Sequence, residues 1–177
     1  MKQITIGFSK ACTTFPIFSW LILFTQRTPY SHVYLKYQDT NTGRTMIAQA
    51  SHTEVNTMGE TVFLTQETVV QEFTFQVSDA SFLAIQQWVA DNLGKPYGVL
   101  EICGLAVVQL ALVFSVKINN PVKDEGVTFV CDQLVAALLS TCEKVVLPEP
   151  INNMTPKDVY DMVSTLPAVL STDTATT

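Results

Sequence analysis

Patterns typical of β-strands all precede residue 78 of this 177-residue chain, and clear helix patterns follow it. The alternation of ETVVQEFTFQV (67–77) predicts a half-buried strand, and residues 1–8 predict a shorter one. Segments 31–37 and 44–51 predict a hairpin, because the turn sequence DTNTG (39–43) separates them. This segregation predicts an α+β fold, in which helices pack on an antiparallel sheet.

Two of the helix patterns carry recognisable start signals. In 79–94, we expect Asp79 to be the N-cap of a helix with one apolar stripe. In 154–163, Thr155 and Asp158 have the spacing of a capping box, which satisfies two backbone N–H groups reciprocally. Both helices are therefore expected to begin at defined residues.

Composition limits the possible class of protein. The length predicts one domain over 1–166, followed by a disordered tail over 167–177. A net charge of −6 without clustered Lys or Arg argues against nucleic acid as a partner. The four cysteines lack CxxC spacing and there are two histidines, so we expect no structural zinc and no other cofactor. Nothing suggests a disulfide framework, which favours a reducing compartment and a cytoplasmic location.

Two apolar segments raise the question of membrane contact. Residues 15–24 contain a proline and lack a signal-peptide cleavage site. Residues 102–116 are 15 uncharged residues, fewer than the roughly 20 that span a bilayer. We interpret both as buried or partly buried helices, with lipid contact through 102–116 as the less favoured alternative.

Cys131 begins the apolar run FVCDQLVAALL (129–139), and two interpretations compete for it. It shares the helical stripe of Leu134 and Leu138, which favours an ordinary core residue. It also lies in the first turn, where unpaired N–H groups and the helix dipole favour a thiolate nucleophile. The neighbouring Asp132 acts in the other direction, because a carboxylate raises the pKa of a nearby thiol.

A thiol nucleophile requires a base, and the base requires a group that orients it. His32 shares a strand face with Tyr34 and Lys36 rather than with the apolar residues, whereas His52 is expected in a loop. The hairpin is expected to place Gln49 opposite His32 to within about one residue. The alternative for His32 is a half-buried histidine with a purely structural role.

Several short motifs in the chain together resemble a known family. LGKPYG (93–98) and CDQLV (131–135) resemble motifs of NlpC-type papain-like cysteine peptidases. PYSHVYL and IAQAS precede them and MTPKDVYDMV follows them, an order similar to the circularly permuted branch, the YiiX-like and lecithin-retinol-acyltransferase-like proteins. The resemblance spans most of 4–163 and implies a permuted papain-like fold with the cysteine at a helix N-terminus. It would suit a phage or bacterial source.

The resemblance also implies roles for individual residues. Cys131 would be the nucleophile, His32 the general base and Gln49 the orienting group. Tyr97 would line the site near the oxyanion, to which the Cys131 backbone N–H would donate. Three departures from the family motifs are Asp132 for Ser, Val130 for Asp and Gln49 for an acid.

The expected activity is that of a thiol hydrolase without a metal. A cleft lined by Tyr34, Lys36, Gln49 and Asp132 would suit a peptide, such as a cell-wall peptide, cleaved through an acyl-cysteine intermediate. One alternative is an acyl-thioester or lipid-ester hydrolase or acyltransferase that uses the same triad. Another is a binding or structural module of the same fold without turnover, and the oligomeric state is left open.

Overall fold

The computed structural model describes residues 1–11, 28–51, 53–100, 103–104, 107–108, 111, 116, 118–121 and 128–170. Its strands are β1 (Lys2–Ala11), β2 (His32–Gln38), β3 (Thr45–Ser51), β4 (Glu54–Gly59) and β5 (Glu67–Val77). Within the described ranges the bounded helices are α1 (Glu60–Gln66), α2 (Asp79–Asn92), α3 (Cys131–Cys142) and α4 (Pro156–Thr165), with a 3-10 turn at Ile151–Asn153. The predicted α+β class is confirmed.

The five strands form one antiparallel sheet in the order β4-β3-β2-β1-β5. The predicted hairpin is present, because β2 and β3 pair from Leu35↔Ala48 to Gln38↔Thr45. Its turn contains Gly43 at φ 68°, a left-handed conformation that glycine adopts without steric cost. The chain then adds β4 on the outer side of β3 and crosses back through α1 to β5.

The two faces of the sheet have different partners. Alternate residues such as Ile6, Val33 and Phe75 form one apolar face. Helices α2, α3 and α4 pack on this face, and their buried residues join the same core. The opposite face of β2 carries His32, Tyr34 and Lys36, as the alternation predicts, and we call it the polar face. Helix α1 covers part of it, where Phe63 packs on Tyr34.

The start of α2 differs from the prediction. The N-cap is Ser78, whose Oγ accepts a 3.0 Å hydrogen bond from the Ser81 N–H, and not Asp79. Ser78 has the extended backbone of a cap, at φ −65° and ψ 160°, whereas Asp79 is already helical. Thr155 and Asp158 do form the predicted capping box at the start of α4.

The packed chain extends slightly beyond the predicted domain boundary at 166. Ala168 and Leu170 exchange backbone hydrogen bonds with Gln76 of β5, and Leu170 is buried in the core. This part of the predicted tail is therefore structured by pairing along β5. Residues 171–177 lie outside the described residues.

The two apolar segments lie largely outside the described ranges. Residues 15–24 are among the residues that are not described, and within 102–116 the described positions 103–104, 107–108 and 111 are helical. In the described parts of the chain, no helix has the length and apolar character needed to cross a bilayer.

Candidate active site

Cys131 is the first residue of α3, as predicted, and it is buried. Its side chain is 3% exposed, and Val130 before it has the extended backbone of an N-cap. The nearby backbone N–H groups of Val33, Asp132 and Cys131 itself favour the thiolate, whereas the thiol donates a weak 3.9 Å hydrogen bond to Asp132 Oδ1. Burial and the Asp132 carboxylate outweigh them and raise the pKa of the Cys131 thiol far above its usual value. The lowered pKa expected from the helix start is therefore wrong, because desolvation is the larger effect.

His32 and Gln49 form a buried pair. The His32 Nε2–H donates a 2.7 Å hydrogen bond to Gln49 Oε1. Because an amide oxygen only accepts, this contact fixes the tautomer with the proton on Nε2. Gln49 is held in turn, since its Nε2 donates to Asn56 Oδ1 at 3.4 Å and to Met58 Sδ at 3.8 Å. Gln49 thus holds the imidazole ring in one orientation.

The register explains how the two side chains meet. Continuing the pairing of Leu35 with Ala48 places Gln49 opposite Tyr34, so His32 and Gln49 are diagonal rather than opposite. The sequence predicted that the two residues are offset by at most about one position. The offset in the structure is two positions, so this prediction is wrong by one. Both residues still lie on the polar face, because an offset of two preserves the alternation. Long side chains can bridge a diagonal pair.

The Cys131 sulfur lies against β2 at the residue after His32. The β2–β3 pairing ends at Leu35↔Ala48, and residues 49–51 pair with β4 only. At this open end of the hairpin the Val33 N–H lies close enough to Cys131 Sγ to favour the thiolate. The first turn of α3 is thereby fixed beside the strand that carries the histidine.

The segment LGKPYG, which contributed to the resemblance, connects β4 with the residues before α3. The Tyr97 N–H donates to the Thr53 carbonyl at 2.8 Å, and the Gly98 N–H donates to the Phe129 carbonyl at 3.1 Å. Burial, followed by the charges of Cys131 and Asp132, raises the pKa of Tyr97 well above its usual value. The Tyr97 hydroxyl therefore lies close enough to both groups to be influenced by their charge.

Tyr34 and Lys36 are bound to carboxylates on neighbouring elements. The Tyr34 hydroxyl donates to Glu72 Oε1 at 2.8 Å. Lys36 Nζ donates to the same carboxylate at 2.7 Å and to Glu60 at 3.3 Å. Lys36 is thus already paired with two carboxylates, which weakens the expectation that it lines a cleft and binds a peptide. The role of Tyr34 as a substrate-lining residue stays a prediction.

Two polar residues of this region were not identified from the sequence. Ser9 of β1 pairs directly with His32, and its Oγ donates a 2.8 Å hydrogen bond to Glu67 Oε2. The alternation of β1 contained a signal, since Thr5, Gly7 and Ser9 share one face. Glu67 is 58 residues from Ser9 in the sequence, so no local pattern indicated their contact.

His52, the other candidate base, lies outside the described residues. Among the residues that are described, no group of three or more His, Cys, Asp or Glu side chains is placed to hold a metal ion. The chain matches no family model, and no curated protein or solved structure matches it significantly.

Proposed function

We propose that this protein is a thiol hydrolase that cleaves an amide or peptide bond. Cys131 is the nucleophile, His32 the general base and Gln49 the group that orients the base. The observation that carries the proposal is the buried 2.7 Å hydrogen bond between His32 Nε2 and Gln49 Oε1, on a sheet against which the helix that begins at Cys131 packs. This arrangement matches the logic of a nucleophile, base and orienting group.

The reaction begins from a neutral thiol, because burial raises the pKa of Cys131. His32 Nδ1 takes the thiol proton while the sulfur attacks the substrate carbonyl, since Nε2 carries the proton bound to Gln49. The backbone N–H of Cys131 donates to the oxyanion, a role for which a helix N-terminus is suited. The imidazolium then protonates the leaving amine, and water hydrolyses the acyl-cysteine.

The permuted papain-like arrangement is part of this proposal. Its support is the chain order, in which a histidine strand precedes the cysteine helix and the helix packs against that strand. The other motifs of the resemblance also have defined positions. MTPKDVYDMV contains the capping box of α4, and LGKPYG contains Tyr97 and Gly98, whose backbone N–H groups are hydrogen-bonded.

A peptide bond is the favoured substrate because the groups near Cys131 include polar side chains. The Asp132 charge affects the Cys131 thiol, both groups affect the Tyr97 hydroxyl, and the amide of Gln49 is hydrogen-bonded to His32.

A specific observation also favours the non-catalytic module. Cys131 is 3% and Asp132 is 2% exposed, and the Asp132 charge disfavours the thiolate. The same experiment separates these two functions.

The test is turnover by wild type and by Cys131→Ala on peptidoglycan fragments and, separately, on short-chain and long-chain acyl esters. We expect release of amide products by wild type and an acyl adduct on Cys131 in the intact mass. Cys131→Ala should lose activity by at least about 10³-fold, because the covalent route is removed. His32→Ala should lose about 10²–10⁴-fold, the usual contribution of a general base.

Cys142→Ala is the matched control, since Cys142 is the last residue of the same helix and lies far from its N-terminus. It should retain wild-type turnover. Cys131-dependent release from long-chain esters alone would replace the peptide substrate with a lipid ester. Absence of turnover on every substrate would favour the non-catalytic module.

A further inference from the structure

Ser9 is the neighbour of His32 on the polar face. The two residues are direct partners in the β1–β2 pairing, and Ser9 is completely buried. Side chains directly opposite each other in an antiparallel pair have Cβ atoms about 4.5–5.5 Å apart. The Ser9 hydroxyl is therefore beside the imidazole, on the opposite side of β2 from Gln49.

Glu67 reaches this position from β5. Its backbone pairs with Ala11, and the register of the two strands shifts between Phe8 and Ser9. The half-buried side chain extends diagonally across β1, so that Oε2 accepts the 2.8 Å hydrogen bond from Ser9 Oγ. The Glu67 carboxylate is thus held by the hydroxyl of Ser9, the residue that faces His32.

The amide of Gln49 orients the imidazole but carries no charge. When His32 takes a proton it becomes a cation in a buried environment, which is costly without a nearby negative charge. We infer that Glu67, held by Ser9, is a positioning residue that stabilises the protonated form of His32. This inference rests on the proposed function only in assigning the base role to His32.

The other ionisable groups of the candidate site belong to different elements, and Lys36 on the polar face of β2 is already paired with Glu60 and Glu72. From α3 these are Cys131 and Asp132, and from the segment before α3 it is Tyr97. On β1 and β3 the neighbours Ser9 and Gln49 are neutral. Asp132 is thus the second carboxylate whose charge has to be distinguished from that of Glu67.

The experiment is an NMR titration of the two imidazoles of the chain, with His52→Gln to assign the His32 signal. Glu67→Gln removes the charge but retains an oxygen that accepts from Ser9. In this variant the titration midpoint of His32 should fall by about half a pH unit or more, because the protonated imidazole loses a nearby opposite charge. Ser9→Ala, which releases the carboxylate, should lower the midpoint as well.

Glu60→Gln is the matched control, because it removes an equal charge from α1, where Glu60 is bound to Lys36. It should leave the midpoint within error, and Asp132→Asn measures the contribution from α3. An unchanged midpoint in both Glu67→Gln and Ser9→Ala would overturn the inference. The titration needs no turnover, so its result is independent of whether Cys131 proves catalytic.

Discussion

The backbone N–H of Val33 lies close enough to Cys131 Sγ to favour its thiolate, and the helix that Cys131 begins packs against the strand that carries His32. The β2–β3 pairing ends at Leu35, so this end of the hairpin is open to the helix. A buried thiol held in this way is protected from bulk reagents. Any chemistry at this thiol therefore requires that a proton acceptor and a substrate reach it.

Alkylation should follow exposure rather than helix position. In the folded protein, iodoacetamide near neutral pH should modify the exposed Cys103 first, the half-buried Cys142 next and Cys131 last. This reverses the order expected from a first-turn thiolate, because burial raises the pKa of Cys131. Peptide mapping over time measures the order, with Cys12→Ser removing a thiol outside the described residues. Rapid labelling of Cys131 would contradict a buried, neutral thiol.

The raised pKa of Cys131 also predicts how stability depends on pH. An unfolded thiol loses its proton near the ordinary value of 9.0, whereas the folded thiol retains it. The folded state then binds more protons than the unfolded state, so stability falls as the pH rises above 9.0. The slope for one group reaches about 1.4 kcal/mol per pH unit. Urea unfolding of wild type and Cys131→Ala between pH 8 and pH 10 (about the window set by thiol ionisation) measures it.

Cys131→Ala should show a flatter pH dependence of the free energy of unfolding than wild type. Cys103→Ala is the control, because Cys103 is exposed and its removal should leave the slope unchanged. Equal slopes in wild type and Cys131→Ala would show that the thiol is not desolvated in the folded protein.

Gly7 should tolerate no side chain, because the Tyr34 ring lies on it. A Cβ at Gly7 would be 2.0 Å from Tyr34 Cζ and 2.4 Å from its hydroxyl oxygen. Gly7→Ala must therefore displace the ring and break the Tyr34–Glu72 hydrogen bond, at a cost of about 1–3 kcal/mol typical of overpacking. Gly59→Ala is the matched control, since no atom of the described residues other than its own and its chain neighbours' lies within 4 Å of its added Cβ. Equal unfolding midpoints in urea for the two variants would contradict this packing.

Local patterns predicted the elements that position the candidate site. The alternation of β2 assigned His32 to the polar face, and the spacing of Thr155 and Asp158 predicted the start of α4. These signals are local, because side-chain periodicity and capping depend on neighbouring residues. Strand β4 and helix α1 were not predicted, since Val55 and Phe63 are the only fully buried side chains of the two elements. The apolar residues of α1, Val62 to Leu64, are consecutive, and β4 has only Val55 and Met58, so neither segment shows a periodicity.

The electrostatics of the site could not be predicted from sequence in the same way. The pKa of Cys131 depends on burial by the folded chain, which outweighs the local effect of the helix start. The Ser9–Glu67 contact depends on a register shift between β1 and β5, which no sequence pattern indicated. Both are consequences of tertiary packing between distant segments.

Replacement of Gln49 should separate its orienting role from its packing. Gln49→Leu keeps the volume but leaves the His32 Nε2–H without its acceptor, which should cost about 1–3 kcal/mol of stability and most of the turnover. Gln49→Glu retains an acceptor and adds a charge beside the imidazole, so it should keep turnover. Rates on a cleaved peptide and urea unfolding of both variants provide the measurement. Full activity of Gln49→Leu would eliminate the orienting role.

Tyr97 offers the sharpest test of whether the phenol acts at the site. Tyr97→Phe removes only the hydroxyl, and the backbone hydrogen bonds from Tyr97 to Thr53 and from Gly98 to Phe129 remain. The fold should therefore persist, with an unfolding midpoint near that of wild type. Because the charges of Cys131 and Asp132 reach the phenol, loss of its hydroxyl should lower kcat about 10-fold or more if it donates to the oxyanion. A raised KM at constant kcat would instead assign Tyr97 to substrate binding, and unchanged values of both would remove it from the site.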